Sequence, residues 1–379
     1  MRGLLRKLLF VALALVVLGA LAYRSRRIIN LQDFSWDRLV LAVRHARGSL
    51  LLVSLLAIYA AYAIRALRWA RFCRYLGRPG FLSIYSATIV GFAALFLLGR
   101  AGEPIRPLLI ARKERLPVSS MFGIYVLERL FDTTSTAVLA GLALLFFPEM
   151  LSLGGADRAW EARARGMALA LFAGLLAALA FLVYFRLHGA AALERRLEGW
   201  RTSTGWKRGA AAAFAGFSEG LQAIQTLPDL LAAIGYSASH WIVVALIFFW
   251  VPHSFGGRLA KLDFAGAMLL LAITMAGSTL QLPAVGGGSQ AASFLALTVV
   301  FGVEKEPAAA ASIVLWLMAF AASSLVGVPL LIREGWSMGE LRRLARAEAE
   351  VKAAGAHIDV PEAPRAQQAT SQKLGEPPR

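Results

Sequence analysis

The most constraining feature of this sequence is a series of long segments that contain no charged residue. They lie at 48–64, 79–99, 166–185, 230–251, 264–303 and 307–332. A helix rises about 1.5 Å per residue and the hydrocarbon core of a bilayer is about 30 Å thick, so about 20 apolar residues suffice to cross it once. The sequence therefore predicts an all-α, polytopic membrane bundle of about six to eight transmembrane helices and excludes an ordinary soluble domain.

The composition agrees with this prediction. Only 17% of the residues are charged, against about 25% in soluble domains. The net charge of +17 comes largely from arginines beside the apolar segments, where membrane orientation and anionic headgroups explain them. We therefore expect anionic membrane lipids as partners and no nucleic acid. The single cysteine, Cys73, excludes an internal disulfide and a multi-cysteine metal site, and no motif indicates a metal or other cofactor.

Two apolar segments do not fit a single crossing. Segment 79–99 has five basic residues close to each end, which predicts that both ends are cytoplasmic and that the segment is a re-entrant hairpin entering from inside. Segment 264–303 is broken near its middle by Pro283 and by glycines, with few basic residues beside it, and it predicts a second hairpin entering from outside. One hairpin from each face is typical of an inverted repeat, and we expect the two to meet near the bilayer midplane.

The other apolar segments predict six crossings with both termini in the cytoplasm. The crossings are expected at 8–23, 48–64, 118–147, 166–186, 229–251 and 307–332. An uncleaved first helix is favoured over a cleaved signal peptide, the alternative that Ala20, Leu21 and Ala22 leave open. We expect a membrane domain at 1–335, a short interfacial helix at 209–227 and a disordered cytoplasmic tail at 336–379.

The basic segment 65–77 follows the second predicted crossing. On a helical wheel its aromatic residues share one side and most of its arginines the other, which predicts an amphipathic helix lying at the membrane surface. Such a helix is a positive-inside anchor, or its guanidinium groups hold a lipid phosphate bidentately. Under the second interpretation Arg65 and Arg68 are candidate phosphate ligands.

The sequence GRAGEPIRP follows the first hairpin and is punctuated by glycine and proline. A broken backbone at membrane depth is tolerated only where it is buried in protein or lines a watery cavity, so this turn is a candidate site. Arg100 and Arg106 suit a phosphate group, whereas Glu103 orients them or meets a cationic headgroup. A purely structural turn is the alternative.

The next predicted crossing carries charges about 10–15 residues from its cytoplasmic start, which places them near the midplane. Glu128 and Asp132 are four residues apart on one face, and Arg129 is within reach of Asp132. Each charge there costs about 2.5–3.5 kcal/mol on insertion scales, so the three residues are expected to line a polar path or to fix helix packing as an ion pair. Because the triplet has a net negative charge, it requires a basic partner from elsewhere, for which Arg100 and Arg106 are the candidates.

In the second hairpin a run of glycines precedes a predicted half-helix. Ser289 is the predicted N-cap, and the free amides behind it would attract an anion. Close helix packing is the alternative role of the glycines. His240 is expected to be a hydrogen-bond partner between helices rather than a proton relay. The candidate phosphate ligands of this turn are Gly286, Gly287, Gly288 and Ser289.

The order of these motifs, RALRW, GRAGEPIRP, VLERLFD and LPAVGGGSQ, resembles the lysylphosphatidylglycerol synthase transmembrane-region family, also called flippase-like, over about residues 48–335. The residues that match the family motifs are Arg100, Gly102, Glu103, Arg106, Glu128, Arg129, Asp132, Gly286 and Gly287. The resemblance implies a multi-pass protein of the bacterial inner membrane that moves a lipid headgroup across the bilayer. The chain departs from many members by having Gln290 after the second glycine turn and no arginine in its last span.

Two-domain members of that family append an aminoacyltransferase, which the sequence lacks, so we expect translocation rather than synthesis. The expected substrate is a phosphate-bearing lipid such as an aminoacyl-phospholipid or a polyprenyl-phosphate glycolipid. Two alternatives remain. One is a non-transporting accessory subunit that recruits an enzyme of lipid or glycan synthesis through its basic rim. The other is a membrane glycosyltransferase that uses external acids such as Asp33 and Asp37.

Overall fold

The computed structural model describes residues 34–146, 223–278, 281–282 and 286–333, together with the single residues 166, 169, 200 and 211. This part of the chain is almost entirely helical, as predicted. The α-helices are α1 Trp36–Arg44, α2 Gly48–Cys73, α3 Phe81–Leu98, α4 Ile105–Glu114, α5 Val118–Phe146, α6 Leu227–Ser254, α7 Phe264–Gly277, α8 Gly288–Leu295, α9 Lys305–Trp316 and α10 Ala322–Arg333. Short 3₁₀ turns occupy Gly99–Gly102 and Leu259–Lys261, and π-helical turns at Ala296–Val300 and Leu317–Ala321 extend α8 and join α9 to α10.

Four helices in the described residues are long and apolar enough to cross a membrane: Gly48–Cys73, Phe81–Leu98, Leu227–Ser254 and Lys305–Arg333. α5 has 29 residues, about 43 Å at 1.5 Å per residue, and carries the predicted charges. The predicted crossings at 48–64, 118–147, 229–251 and 307–332 therefore correspond to continuous helical segments. The crossings at 8–23 and 166–186, the tail at 336–379 and most of the predicted helix at 209–227 lie outside the continuously described residues. The described end of that last segment, 223–226, is not helical, and Leu227 already begins α6.

The first hairpin differs from the prediction in where it turns. Segment 79–99 is not a hairpin, because α3 is one unbroken helix. The chain reverses afterwards, at Gly99–Gly102, and returns along α4. Three contacts show that α3 and α4 pack antiparallel. A Cβ added to Gly102 would lie 2.3 Å from the Ala94 carbonyl oxygen, and one added to Gly91 would lie 2.6 Å from the Arg106 Cβ. Further along, Lys113 Nζ donates a hydrogen bond to Ser86 Oγ at 2.9 Å.

The physical reason for this difference lies in the arginines. Arg100 and Arg106 were expected to mark a cytoplasmic end of the hairpin, but both belong to its turn and return helix. Arg106 is buried, with 4% of its surface exposed. A guanidinium that is paired inside the protein does not have to reach water, and the positive-inside pattern then no longer locates it.

The chain divides into two compact units, each described by itself. The first contains the described residues within Met1–Ala61, Thr134–Gly174 and Ala238–Ala322, and the second those within Tyr62–Thr133, Leu175–Ser237 and Ser323–Arg379. The core of the second unit is built by α2, α3, α4 and α5. Its fully buried side chains include Trp69, Phe72, Ile84, Ile110 and Ile124. These large side chains fix the helices that carry the buried charges described below.

The first unit contains the second hairpin, and the predicted break of segment 264–303 into two helices is confirmed. The side of the membrane from which this hairpin enters stays a prediction. α7 and α8 pack against each other and are joined through a two-residue antiparallel ladder of Gln281–Leu282 with Gly286–Gly287. Asp263 begins α7 by accepting a hydrogen bond from the Gly266 amide at 2.7 Å, an N-cap that satisfies a free donor. The expected hydrogen bond of His240 is also present, since its Nδ1 lies 3.1 Å from the Ala61 carbonyl oxygen.

The α7–α8 packing depends on the absence of a side chain at Gly277. A Cβ there would lie 2.4 Å from the Ala292 Cβ and 2.4 Å from the Gly288 carbonyl oxygen. We expect Gly277→Ala to lower the free energy of unfolding in detergent by about 1–3 kcal/mol, the usual cost of overpacking. The matched control is Gly235→Ala, because that glycine lies within α6 with nothing near its Cβ position. Gly235→Ala is expected to be neutral or to stabilise by up to about 1 kcal/mol, and equal losses in the two variants would contradict the packing explanation.

Candidate functional site

Two carboxylates on α5 form the centre of the candidate site. Glu128 is fully buried and Asp132 is 6% exposed. They are one helical turn apart, so both side chains lie on the same face of α5. Two ionised carboxylates inside a protein are stable only with close partners, and the structure supplies these from three helices of the second unit.

The first partners come from α2. Arg65 Nη1 donates to Glu128 Oε1 at 2.7 Å and to Asp132 Oδ2 at 2.8 Å. One turn further along, Arg68 Nη2 donates to Glu128 Oε1 at 3.1 Å and to Asp132 Oδ1 at 2.8 Å. Arg68 Nη1 also donates to Ser237 Oγ at 2.7 Å. Each arginine therefore bridges both acids, an arrangement that fixes the position of its guanidinium group.

The prediction of a helix lying at the membrane surface is wrong for Arg65 and Arg68. α2 continues without a break to Cys73, and Arg65 and Arg68 are 4% and 1% exposed. Trp69 and Phe72, which the helical wheel placed on a separate apolar side, are buried as well. The wheel failed because it assumed that arginines face solvent, whereas the acids of α5 allow two of them to face inward.

The third partner comes from the return helix of the first hairpin. The Arg106 guanidinium donates to both oxygens of Glu128. It also lies over the ring of Trp69, with 5.0 Å between the guanidinium carbon and the ring centroid, and near the rings of Phe92 and Tyr125. Aromatic faces stabilise a cation that has been removed from water. Arg106 is thus one of the two partners that the sequence predicted for the acids, and its pairing with Glu128 is confirmed.

Arg129 and Glu103 lie at the edge of the cluster. Arg129 Nη2 donates to Asp132 Oδ2 at 2.9 Å, and 40% of the Arg129 side chain is exposed. Its guanidinium lies over the Tyr125 ring at 5.4 Å. The Tyr125 hydroxyl donates to Glu103 Oε2. Arg129 is therefore the guanidinium of this cluster that is accessible from outside, while the others are almost fully enclosed.

We call Arg65, Arg68, Arg106, Glu128, Arg129 and Asp132 the buried ion cluster. Its four guanidinium groups face two carboxylates, so these six residues carry two positive charges in excess. Glu103 lies one hydrogen bond further away through Tyr125, and counting it still leaves one positive charge. The cluster is therefore electrostatically suited to receive an anion, and a phosphate matches the bidentate geometry of guanidinium groups.

The turn of the second hairpin is built differently from the prediction. Gly287, not Ser289, is the N-cap of α8, with a φ of 120° that favours glycine. The Gln290 side-chain oxygen accepts a hydrogen bond from the Gly287 amide at 3.1 Å. Ser289 lies within the first turn of α8, 1% exposed, and its hydroxyl makes no hydrogen bond with the described residues. The structure places Gly286, Gly287, Gly288 and Ser289 together at this turn, while the role of the four as phosphate ligands stays a prediction.

Three features of the site were not found by sequence reasoning. Tyr125 joins Glu103 to Arg129, Ser237 of α6 holds Arg68, and Asp229 of α6 binds Arg71 and Arg74. A hydroxyl at membrane depth is a weak signal, because most such groups bond to their own helix. The position of Arg100 is known in the turn, but its side chain lies outside what the structure describes, so its predicted role is not tested.

In a comparison with known proteins, the chain matches one protein family. Residues 6–327 match the family described as Lysylphosphatidylglycerol synthase TM region. The match covers α1 to α9, the first half of α10 and all residues of the buried ion cluster. A search among curated proteins found no match to the chain.

Proposed function

The chain belongs to the lysylphosphatidylglycerol synthase transmembrane-region family, and from this premise we propose that it is a lipid translocase that moves a phosphate-bearing lipid across the bilayer. Membership makes it a multi-pass membrane protein of lipid biosynthesis or transport. An aminoacyl-phospholipid or a polyprenyl-phosphate glycolipid is the proposed substrate, and transport occurs without catalysis by this chain. The proposed location is the bacterial inner membrane, with both termini in the cytoplasm.

The observation that carries the proposal is the excess positive charge of the buried ion cluster. Among the described residues that form this cluster, bases outnumber acids. Charged residues inside a membrane protein are costly, and they commonly mark a path for a substrate or an ion. A scaffold that needed only helix packing would be served by equal numbers of acids and bases. The phosphodiester of a lipid headgroup brings a negative charge to these guanidinium groups together with oxygen acceptors for them.

The two carboxylates have a part in release as well as in folding. A translocase must bind its cargo strongly enough to admit it and weakly enough to let it leave, as holds for conduction through channels. Glu128 and Asp132 compete with the phosphate for the same guanidinium groups, because Arg65 and Arg68 each bridge both acids. This competition keeps the affinity for phosphate moderate, so that the headgroup does not become trapped.

The exposure of Arg129 indicates where the headgroup first meets the cluster. With 40% of its side chain accessible and its guanidinium stacked on Tyr125, Arg129 can bind a phosphate while still bonded to Asp132. Glu103, held by the Tyr125 hydroxyl, lies beside it and suits the amino group of an aminoacylated lipid.

The test is translocation by the full chain in proteoliposomes. Vesicles receive a short-chain fluorescent phosphatidylglycerol, and a membrane-impermeant quencher reports how fast the label leaves the accessible leaflet. We expect Arg106→Gln to slow this rate at least tenfold, since hydrogen bonds to charged groups contribute about 1.5–3 kcal/mol. Arg44→Gln is the matched control, because Arg44 is an exposed arginine of α1, and it is expected to transport at the wild-type rate.

Two results would contradict the proposal. One is an unchanged rate in Arg106→Gln when the variant elutes and melts like the wild type. The other is a wild-type chain that moves no lipid faster than protein-free vesicles, which would favour the accessory role. A slow rate caused only by unfolding is recognised from the elution profile and the melting temperature.

A further inference from the structure

A cleft lies at the end of α2, away from the buried ion cluster. It has a volume of about 530 Å³ and is lined by Ala70, Arg74, Tyr75, Gly77, Arg78 and Pro79. Sites that hold small ligands commonly measure about 300–1,000 Å³. The lining combines two guanidinium groups and a phenol with small apolar side chains, so it offers both charge and an apolar wall.

Part of the cleft is held in place by a buried acid. Asp229 is 1% exposed, and it accepts hydrogen bonds from Arg71 Nε at 3.1 Å, from Arg74 Nη2 at 3.0 Å and from the Tyr75 hydroxyl. Thr226 adds its hydroxyl at 2.7 Å. The positions of Arg74 and Tyr75 are thus set before any ligand arrives, which reduces the entropy lost on binding.

Arg78 is the cleft residue that is available to a ligand. It is exposed and forms no side-chain hydrogen bond within the described part of the chain. The segment that contains it runs beside the end of the first hairpin, because a Cβ on Gly77 would lie 3.0 Å from Leu116 Cδ2. This packing brings a second basic segment to the same end of the second unit. Its exposed basic residues are Arg112, Lys113 and Arg115.

The charge around the cleft is strongly unbalanced. In the described part of this unit, five exposed basic residues of the two segments lie at this end. The acids near them are Glu114, between the basic residues of the second segment, and the buried Asp229 of α6. Large exposed apolar side chains follow directly after the cleft, with Phe81 38% and Leu82 76% exposed at the start of α3. A basic cleft beside exposed apolar residues matches a molecule with an anionic head and an apolar tail.

From this geometry we propose that the cleft binds the phosphate headgroup of an anionic phospholipid. In this site Arg78 is the residue that selects for the negative charge of the headgroup. The lipid's acyl chains lie along Phe81 and Leu82. This second site is separate from the buried ion cluster and does not depend on translocation. A soluble phosphate shares the headgroup chemistry but leaves the apolar residues uncovered, and the experiment distinguishes the two sources.

The test measures lipid binding to the full chain in detergent by native mass spectrometry. Dioctanoyl phosphatidylglycerol and dioctanoyl phosphatidylcholine are titrated separately, and inorganic phosphate is then added as a competitor. We expect the wild type to bind phosphatidylglycerol at least fivefold more tightly than phosphatidylcholine. At the same lipid concentration, Arg78→Gln is expected to bind one phosphatidylglycerol molecule fewer than the wild type, with a reduced preference for that lipid. Arg44→Gln removes the same charge from an exposed position elsewhere. This variant is expected to bind both lipids as the wild type does.

Three outcomes would overturn the proposal. The first is an unchanged preference in Arg78→Gln, which would show that the cleft does not select for charge. The second is equal affinity of the wild type for the two lipids. The third is displacement of phosphatidylglycerol by inorganic phosphate at similar concentration, which would identify a soluble anion as the ligand. Because Arg78 is exposed, its replacement is not expected to unfold the chain, and an unchanged melting temperature verifies this.

Discussion

Replacing Glu128 by glutamine is expected to lower the free energy of unfolding by about 3–5 kcal/mol, the range found when one partner of a buried ion pair is removed. Glu128 is fully buried and pairs with Arg65, Arg68 and Arg106. Glutamine keeps the shape but carries no charge and has a single acceptor oxygen. Asp132 would then be the one acid of the buried ion cluster left to its four guanidinium groups.

Cys73 provides a direct measurement of this loss. It is the single cysteine of the chain and is fully buried, so a thiol-reactive dye labels it only after unfolding. Labelling is followed while sodium dodecyl sulfate is titrated into mixed micelles. The matched control is Glu304→Gln, because Glu304 is exposed and makes no capping hydrogen bond, and the expected change there is below about 0.5 kcal/mol.

A double variant separates charge from shape. If Glu128 acts by neutralising the guanidinium groups, then removing one of them as well should restore part of the stability. Glu128→Gln combined with Arg106→Gln is therefore expected to be more stable than the sum of the two single changes predicts. Strict additivity would mean that the two residues stabilise the fold independently, contrary to their direct ion pair.

The buried acids show how far the sequence alone leads. The rise of a helix per residue predicted how deep Glu128 and Asp132 lie along their helix. The net negative charge of these two acids with Arg129 predicted that a basic residue from another segment pairs with them. Arg106 was one of two candidates, and it is a partner. Arg65 and Arg68 were assigned instead to a surface helix, because a helical wheel gives the faces of a helix but does not show what packs against each face.

The two hairpins differ in how well the sequence located them. In the second, Pro283 and the adjacent glycines break the apolar run in the sequence, and the described residues on either side, Gln281–Leu282 and Gly286–Gly287, pair antiparallel. In the first, the break is at Gly99–Gly102, beyond the apolar run, and the returning α4 contains Arg106, Arg112 and Lys113. A search for apolar segments stops at Arg100 and therefore misses a return helix whose charges are paired inside or lie at the end of the hairpin.

A single methyl group added at the turn of the first hairpin is expected to cause the largest loss of folding stability after Glu128→Gln. A Cβ on Gly102 would lie 2.3 Å from the Ala94 carbonyl oxygen and 2.4 Å from its carbon, and neither backbone atom can rotate away. Gly102→Ala is expected to cost about 3 kcal/mol, at the upper end of what overpacking costs. The Cys73 labelling titration measures it, and Gly80→Ala, with no atom within 4 Å of its Cβ position, is the control.

The same variant tests whether the hairpin positions the buried ion cluster. Arg106 is the second residue of α4 and lies only four residues after Gly102. Moving α4 away from α3 therefore also moves its guanidinium away from Glu128. We expect Gly102→Ala to slow lipid translocation even at temperatures where the protein remains folded, while Gly277→Ala, at the other hairpin, leaves the Arg106 pair intact. Normal stability in Gly102→Ala would mean that α3 and α4 separate easily, and the hairpin would then be a movable element rather than a fixed support for Arg106.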